Sequence, residues 1–410
     1  MTATLSGSTA ALKILYPDGE VPKVLHKRFP TFDKIKKNTD FTGESAYVAL
    51  QTENPQGVST KYATALGSLA QGQYDRFNIS RVKRFGLARI DGEAAEAAVK
   101  RGGGALVDLW ENETRGVSMT VMKCLAIDMF GAGDGILAQG SSGHSGTTWT
   151  LSSTANMNYF DRNMRVGAVS AAGTGATVYP GYAQITGIDR LNRTITSGSA
   201  FSSQITGIGA TSYLVRAGDE IVSSALQCMV GFPTYVEGGS SPAALWGLTR
   251  STDPVRFAGQ TQSFANVPME EAVQEASALC GFQGLGYPDV LIANNREIAN
   301  LKKNLEGRAI LDRSSSSVGK AGFSEVVIEG ENGPITIVSD PFCPRNVAYL
   351  LKWDEWDLWS LGAAPHLKNY DKNDFLRVQS DDAYQVDFVS YHQMRLKNPG
   401  PQFRLTSFGA

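Results

Sequence analysis

The nearest approach to a nucleophile motif in this chain is Gly143-His144-Ser145-Gly146. A strained strand-to-helix turn of the G-x-S-x-G kind would present the serine hydroxyl to an acyl group. Thr147 stands where the second glycine belongs, and the stretch is rich in Gly, Ser and Thr, with no helix signal behind it. Gly131-Ala132-Gly133-Asp134-Gly135 could cradle a phosphate only after a strand, and it follows a predicted helix. Ser317-Val318-Gly319-Lys320 has the composition of a Ser–Lys dyad or a P-loop tail. Partner motifs are missing, and Ser314 occupies the place of the leading P-loop glycine. His26, His144, His366 and His392 show no metal-ligand spacing, and Cys124, Cys228, Cys280 and Cys343 form no C-x-x-C pair. The acidic pairs Asp354/Glu355 and Asp381/Asp382 fall in predicted turns that face solvent. No catalytic, cofactor-binding or metal-binding residue is therefore assigned, no cofactor is expected, and the chain is read as a non-enzyme.

Composition narrows the class further. At 410 residues the chain exceeds one ordinary domain, and 42% hydrophobic with 19% charged residues describes a packed protein. The 43 glycines point to many turns and to β-rich structure. A net charge of −2 gives no global electrostatic case for tight nucleic-acid binding. No apolar run approaches the roughly 20 residues of a membrane span. Met1 to Ala11 lacks a basic start followed by an apolar core, so the chain reads as made in a reducing cytosol. The Asn-x-Ser/Thr triplets at Asn78, Asn112 and Asn192 are then chance matches.

The order of elements follows from periodicity and breakers. Residues 1–40 carry a mildly basic segment whose apolar positions are too irregular for a helix. It reads either as an extended arm lying on a neighbour or as a chain end packed on its own domain. Residues 42–90 predict a long two-stranded ribbon, Ser45 to Gln51 going out and Phe77 to Arg89 coming back around a polar middle. An isolated hairpin is marginally stable in water, so the ribbon should rest on another surface, the other reading being a disordered surface loop. Asp91 caps a predicted helix from Gly92 to Arg101, which Gly102-Gly103-Gly104 interrupts. Ala105 to Phe130 predicts a second helix about 39 Å long, with a stripe of apolar and Met residues that is core. Residues 137–217 lose charge and show short alternating strands, as in a small β-barrel or sandwich. After Gly218 a helix through Leu279, a buried strand Val290 to Ala293 and a helix Asn295 to Leu305 restore α/β character. A long late strand carries Tyr384, Val386 and Phe388 in alternation.

The segment 328–362 reads IEGENGPITIVSDPFCPRNVAYLLKWDEWDLWSLG. Asn332-Gly333 predicts a tight turn between the apolar runs Phe323 to Ile328 and Ile335 to Val338. Asp340-Pro341 and Cys343-Pro344 break regular structure, and a strand from Ala348 to Lys352 leads to a turn with Trp353, Trp356 and Trp359. This order, G-P-I-x-I-x-x-D-P-x-C-P-x-N-x-A-Y-x-L followed by W-x-L-W-S-L-G-x-x-P, resembles the axial domain of tailed-phage major capsid proteins of the Hong-Kong-97-type fold.

The resemblance implies an α+β capsid fold with six parts: an N-terminal arm (1–40), an extended E-loop ribbon with its flanking strands (41–90), peripheral-domain helices including the spine helix (91–136), an inserted β-rich domain (137–217), the axial A-domain (218–375) and a peripheral return strand with the C-terminus (376–410). The implied function is a shell protein that assembles with itself as pentameric and hexameric capsomers around packaged DNA, without sequence-specific binding and without a membrane. The implied location is the virion, after assembly in the cytoplasm of a bacterial host. The implied partners are a separate scaffold protein, a portal and a decoration protein. Lys61 lies in the ribbon, but nothing pairs it with a particular Asn for a crosslink. An encapsulin-like nanocompartment shell shares the expected fold. A β-rich carbohydrate-active enzyme or adhesin would need paired carboxylates in the middle segment, where Asp161, Asp189 and Glu220 are scattered.

Overall fold

A computed structural model describes residues 29–93, 109–221, 225–241, 244–283, 286–306, 328–368, 376–378 and 381–408. In chain order, a short helix α1 (Pro30–Lys34) and strand β1 (Lys36–Asn38) precede a ribbon of β2 (Ser45–Glu53) and β3 (Gln73–Ser80). A one-turn helix α2 (Tyr62–Gly67) sits at the ribbon's tip. Strand β4 (Val82–Asp91) and helix α3 (Leu109–Asp128) follow. Next come β5 (Ile136–Ser142), β6 (Thr148–Leu151), β7 (Arg165–Val169), β8 (Val178–Asp189), β9 (Thr194–Ser197) and β10 (Tyr213–Arg216). The remainder comprises β11 (Gln260–Ser263), α4 (Met269–Phe282), β12 (Val290–Ala293), α5 (Asn295–Glu306), β13 (Ile328–Gly330), β14 (Gly333–Ser339), β15 (Val347–Leu351), β16 (Trp356–Ser360), β17 (His366–Leu367), β18 (Leu376–Arg377), β19 (Ala383–Leu396) and β20 (Phe403–Thr406).

Strand β19 organises the first sheet. One edge pairs with β4 from Ala383↔Asp91 to His392↔Val82, and the other meets β18, β17 and β16 in succession. Strand β1 adds to β16 in parallel. Helix α3 lies close on β4 because residue 86 is glycine. A Cβ there would stand 2.5 Å from Val121 Cγ2 and 2.8 Å from Val117 Cγ1. The valines occupy that space and bury apolar area against the strand.

The second sheet has the order β11-β20-β15-β12-β14-β13. Its central strand β12 is buried on both faces, and the period of two divides its side chains between two cores. Leu291 and Ala293 join Met269, Ala272, Val273 and Ala276 of α4, while Val290 and Ile292 face the larger core with Tyr349, Phe342 and Trp356. Strands β10-β5-β6-β9-β8-β7 close into a barrel around Trp149, Val166, Ile185, Ile195 and Leu214. The first and last barrel strands are neighbours, with Val215 opposite Ile136.

Several sequence expectations are corrected. The expected return strand Phe77 to Arg89 is two strands: β3 pairs with β2 and ends at Ser80, and β4 leaves the ribbon to pair with β19. The tight turn is Glu331-Asn332, one position earlier than the expected Asn332-Gly333, and it is closed by Gly330↔Gly333, with Gly333 at φ +109°. The boundary placed at residue 375 cuts across both sheets. Strand β16 lies in the sheet of β19, and β20 lies in the sheet of β12. Within the segment 1–40, residues 29–40 pack on their own chain: Phe29, Phe32 and Ile35 are buried in the main core. The expected helix at 92–101 begins at Gly92 and Glu93, and its remainder from residue 94, the first part of the expected helix 105–130 and the strand start at 323–327 lie outside the described residues.

Candidate functional site

The structure disperses the residues that could have done chemistry. His144 sits in the turn between β5 and β6, its ring 6.2 Å from that of Trp149, and Ser145 beside it is exposed. His366 meets the Ala363 carbonyl through Nδ1 at 2.6 Å, at the end of the first sheet. His392 is buried in β19, its Nδ1 2.9 Å from Ser390 Oγ, and burial, with Arg84 second, pushes its pKa down to about 3. His26 and the 317–320 segment lie outside the described residues. Cys124, Cys228, Cys280 and Cys343 are all buried free thiols. Burial raises the pKa of Cys228, Cys280 and Cys343, which keeps them protonated and poor nucleophiles. Among the described residues, no group of three or more His, Cys, Asp or Glu could hold a metal ion.

What the chain builds with its polar groups is a set of joints between distant segments. The D-P-x-C-P-x-N loop is one. Asp340 is fully buried and accepts from the Thr31 N–H at 3.1 Å, the Thr31 hydroxyl at 2.5 Å and the Phe342 N–H at 2.8 Å. The loop's carbonyls are met from outside: Asn156 Nδ2 donates to Pro341 O at 2.9 Å, Tyr159 Oη to Phe342 O at 2.6 Å and Asn294 Nδ2 to Cys343 O at 2.8 Å. Asn346 takes a left-handed φ of +57°, a conformation asparagine tolerates better than most residues. The motif thus reads as a loop, buried at Asp340, Phe342 and Cys343, that joins the N-terminal segment, the barrel flank and the second sheet.

A second joint centres on Arg84, at an inward position of β4. Its guanidinium donates to Asp128 Oδ2 at 2.8 Å, to Asp219 at 3.0 and 3.4 Å, and to Cys228 Sγ at 3.3 Å. Asp128 ends α3, and Asp219 lies just past the barrel's last strand. Burial lowers the affinity of Arg84 for its proton, but Asp128 and the other groups around it outweigh burial, so it stays charged. Sequence reading did not single out this cluster. The available signal was a charged residue on the inward phase of an alternating strand, which demands a buried partner. Lys123 makes a third joint, from α3 to Asp161 before β7, at 2.6 Å.

Hydrogen bonds tie the ribbon to the body near its base and again at the outer end of β2. Asn78 N–H donates to the Trp246 carbonyl at 3.0 Å, and Arg256 reaches the Thr52 carbonyl at 2.7 Å. Beyond that, residues 55–71 contain no buried side chain. Val58 is 91% exposed and Tyr62 84%, with Leu66 and Leu69 also exposed. This cluster of exposed apolar residues on a thin projection is the kind of surface that marks an interaction site.

No protein-family model matches the chain, and no curated protein matches its sequence. Solved structures do. A chain of the capsid asymmetric unit of cyanophage A-1(L) is similar with a TM-score of 0.55 at 11% identity, over 96% of this chain and 98% of that one. A chain from the capsid of a native GTA particle is similar with a TM-score of 0.50 at 9% identity, over 95% of this chain and 94% of that one. At these identities the likeness shows a shared fold, extending over nearly the whole of each chain.

Proposed function

We propose that this chain is the major capsid protein of a tailed phage, assembling with itself as pentamers and hexamers into the icosahedral head shell that encloses the DNA. The observation that carries this is the ribbon, which projects exposed Val58, Tyr62, Leu66 and Leu69 while burying nothing of its own tip. Such a projection gains stability only against another molecule. The fold shared end to end with two capsid chains supports the same conclusion. In this assignment the fold is of the Hong-Kong-97 type, β2 and β3 are the E-loop, α3 is the spine helix, the barrel is an inserted domain, and the second sheet is the core of the axial domain. A scaffold protein, a portal and a decoration protein are its partners, DNA is enclosed without sequence-specific contacts, and the assembled protein resides in the virion after assembly in the host cytoplasm.

Electron microscopy of the purified chain, alone and coexpressed with candidate scaffold proteins, tests the proposal. Shells or rings of five and six subunits are the expected result. Light scattering that finds monomers only, across concentration, salt and scaffold conditions, overturns it.

A further inference from the structure

The barrel is attached to the rest of the molecule by two chain segments that run side by side. The inbound segment Gly131–Gly135 follows α3, and the outbound segment Ala217–Asp219 follows β10. They are in tight contact, since a Cβ on Gly135 would stand 2.4 Å from the Asp219 carbonyl oxygen. Both run into the Arg84 joint, where a cavity of about 20 Å³ is lined by Arg84, Cys124, Asp128, Arg216, Asp219 and Cys228. That volume admits about one water molecule.

We propose that Asp128 is a proton-controlled latch on this stem: protonated, it lets the barrel's two connections close onto β4 and α3, and ionised, it loosens them. Three geometric features oppose the ionised form in the closed joint. Asp128 is buried, it ends α3 where the helix dipole is negative, and it shares one guanidinium with a second carboxylate, Asp219. The charged and titratable groups facing it are Arg84 from β4, Arg216 from the end of β10, Asp219 from the outbound segment, Cys228 from the chain leading into Phe232, and Cys124 from α3 itself. His392, beyond Arg84, stays neutral. Burial is the largest influence on Asp128 and Arg84 opposes it, leaving the carboxyl at about 6, against 3.8 when solvated.

The direction follows from linkage. A carboxyl that binds its proton more tightly in the closed state favours closing as pH falls through 6 and opening as pH rises. Between pH 5 and pH 8 these two affinities change the opening constant by roughly tenfold. Loosening here frees the stem alone. The flank remains attached to the body through Tyr159 and Asn156.

Hydrogen–deuterium exchange on the full chain tests the latch, with rates corrected for the intrinsic effect of pH. Amides of 131–136 and 215–219 should lose about tenfold in protection from pH 5 to pH 8, while β12 and β15 keep theirs. Asp128→Asn, which imitates the protonated carboxyl, should hold the stem at its pH 5 protection at both pH values. The same pH dependence in the variant as in the wild type overturns the proposal. Should the variant fail to fold, the wild-type comparison decides, and a stem equally protected at pH 5 and pH 8 overturns it. The proposal does not depend on the shell function, since exchange is read on the subunit itself.

Discussion

Thr31 and Asp340, 309 positions apart, are joined by two hydrogen bonds, from the threonine's N–H at 3.1 Å and its hydroxyl at 2.5 Å. Asp340 also receives the Phe342 N–H, so its truncation removes the acceptor of three buried hydrogen bonds. An unmet buried donor costs about 1–3 kcal/mol. Asp340→Ala should therefore destabilise the subunit by roughly 3 kcal/mol, and Thr31→Val, which keeps the backbone donor, by about 1 kcal/mol. Urea unfolding of the two variants measures both. An Asp340→Ala midpoint equal to the wild type's would mean that the joint contributes nothing.

Removing the ribbon tip, Pro55 to Gln71, should leave the subunit folded and abolish its assembly. No residue in that range is buried, and the Gln56–Ala70 bridge lies wholly inside it. Circular dichroism with thermal unfolding reports the fold, and electron microscopy the assembly. Normal shells from the deletion protein, or a globally unfolded chain, each contradict the assignment.

The barrel should be removable as a folding unit, but not without cost. Its ends are adjacent through Val215 and Ile136, so a short Gly/Ser linker spans the gap. Its strands pair only among themselves, yet Asn156 and Tyr159 support the carbonyls of Pro341 and Phe342. Replacing 137–215 should give a folded subunit with a lower melting temperature. Tyr159→Phe alone should cost about 1 kcal/mol. If Tyr159→Phe is neutral while the replacement is strongly destabilised, the support comes from apolar packing and not from these bonds.

Acid stability should depend on His392. Burial, then Arg84, hold it at about 3, against 6.5 in the unfolded chain. The unfolded state therefore binds the extra proton, and stability falls as pH drops from about 6.5 toward 3, by at most about 1.4 kcal/mol per pH unit. Asp128 works in the opposite direction below pH 6, because its native carboxyl is the tighter proton binder. Asp128→Asn should steepen the acid loss, and His392→Gln should flatten it. Urea midpoints at pH 7, 6, 5 and 4 check the signs; a His392→Gln profile parallel to the wild type's removes the histidine from the account.

Local signals carried much of the fold. The alternation in 137–217 announced short strands because one face of each is apolar, and Val290 to Ala293 was legible as a buried strand from its unbroken apolar run. The loop Asp340–Asn346 was marked by its prolines, which disrupt regular structure wherever they fall. What the sequence does not display is partnership between remote segments. Nothing local tells β16 to join β19 while β15, four residues earlier, joins β12. Nor does any spacing announce that Arg84 meets Asp128 and Asp219, since ion pairs of this kind are chosen by the assembled core. The break at Arg81 escaped for a related reason: β3 and β4 are both good strands, and only their different partners separate them.

Strand β19 spans about 46 Å and is laced to β4 by ten consecutive pairs along one edge. The direction of a pull decides how such a ladder yields. A force along the strands loads every rung together, in shear, whereas a force across them peels the rungs one after another. Tension running lengthwise between the ribbon's base, which feeds β4 at Val82, and the chain that enters β19 at Ala383, at the ladder's other end, would meet it in its strong direction. In the shell proposed above, pressure from within that pulls along this line would load the ladder without unzipping it.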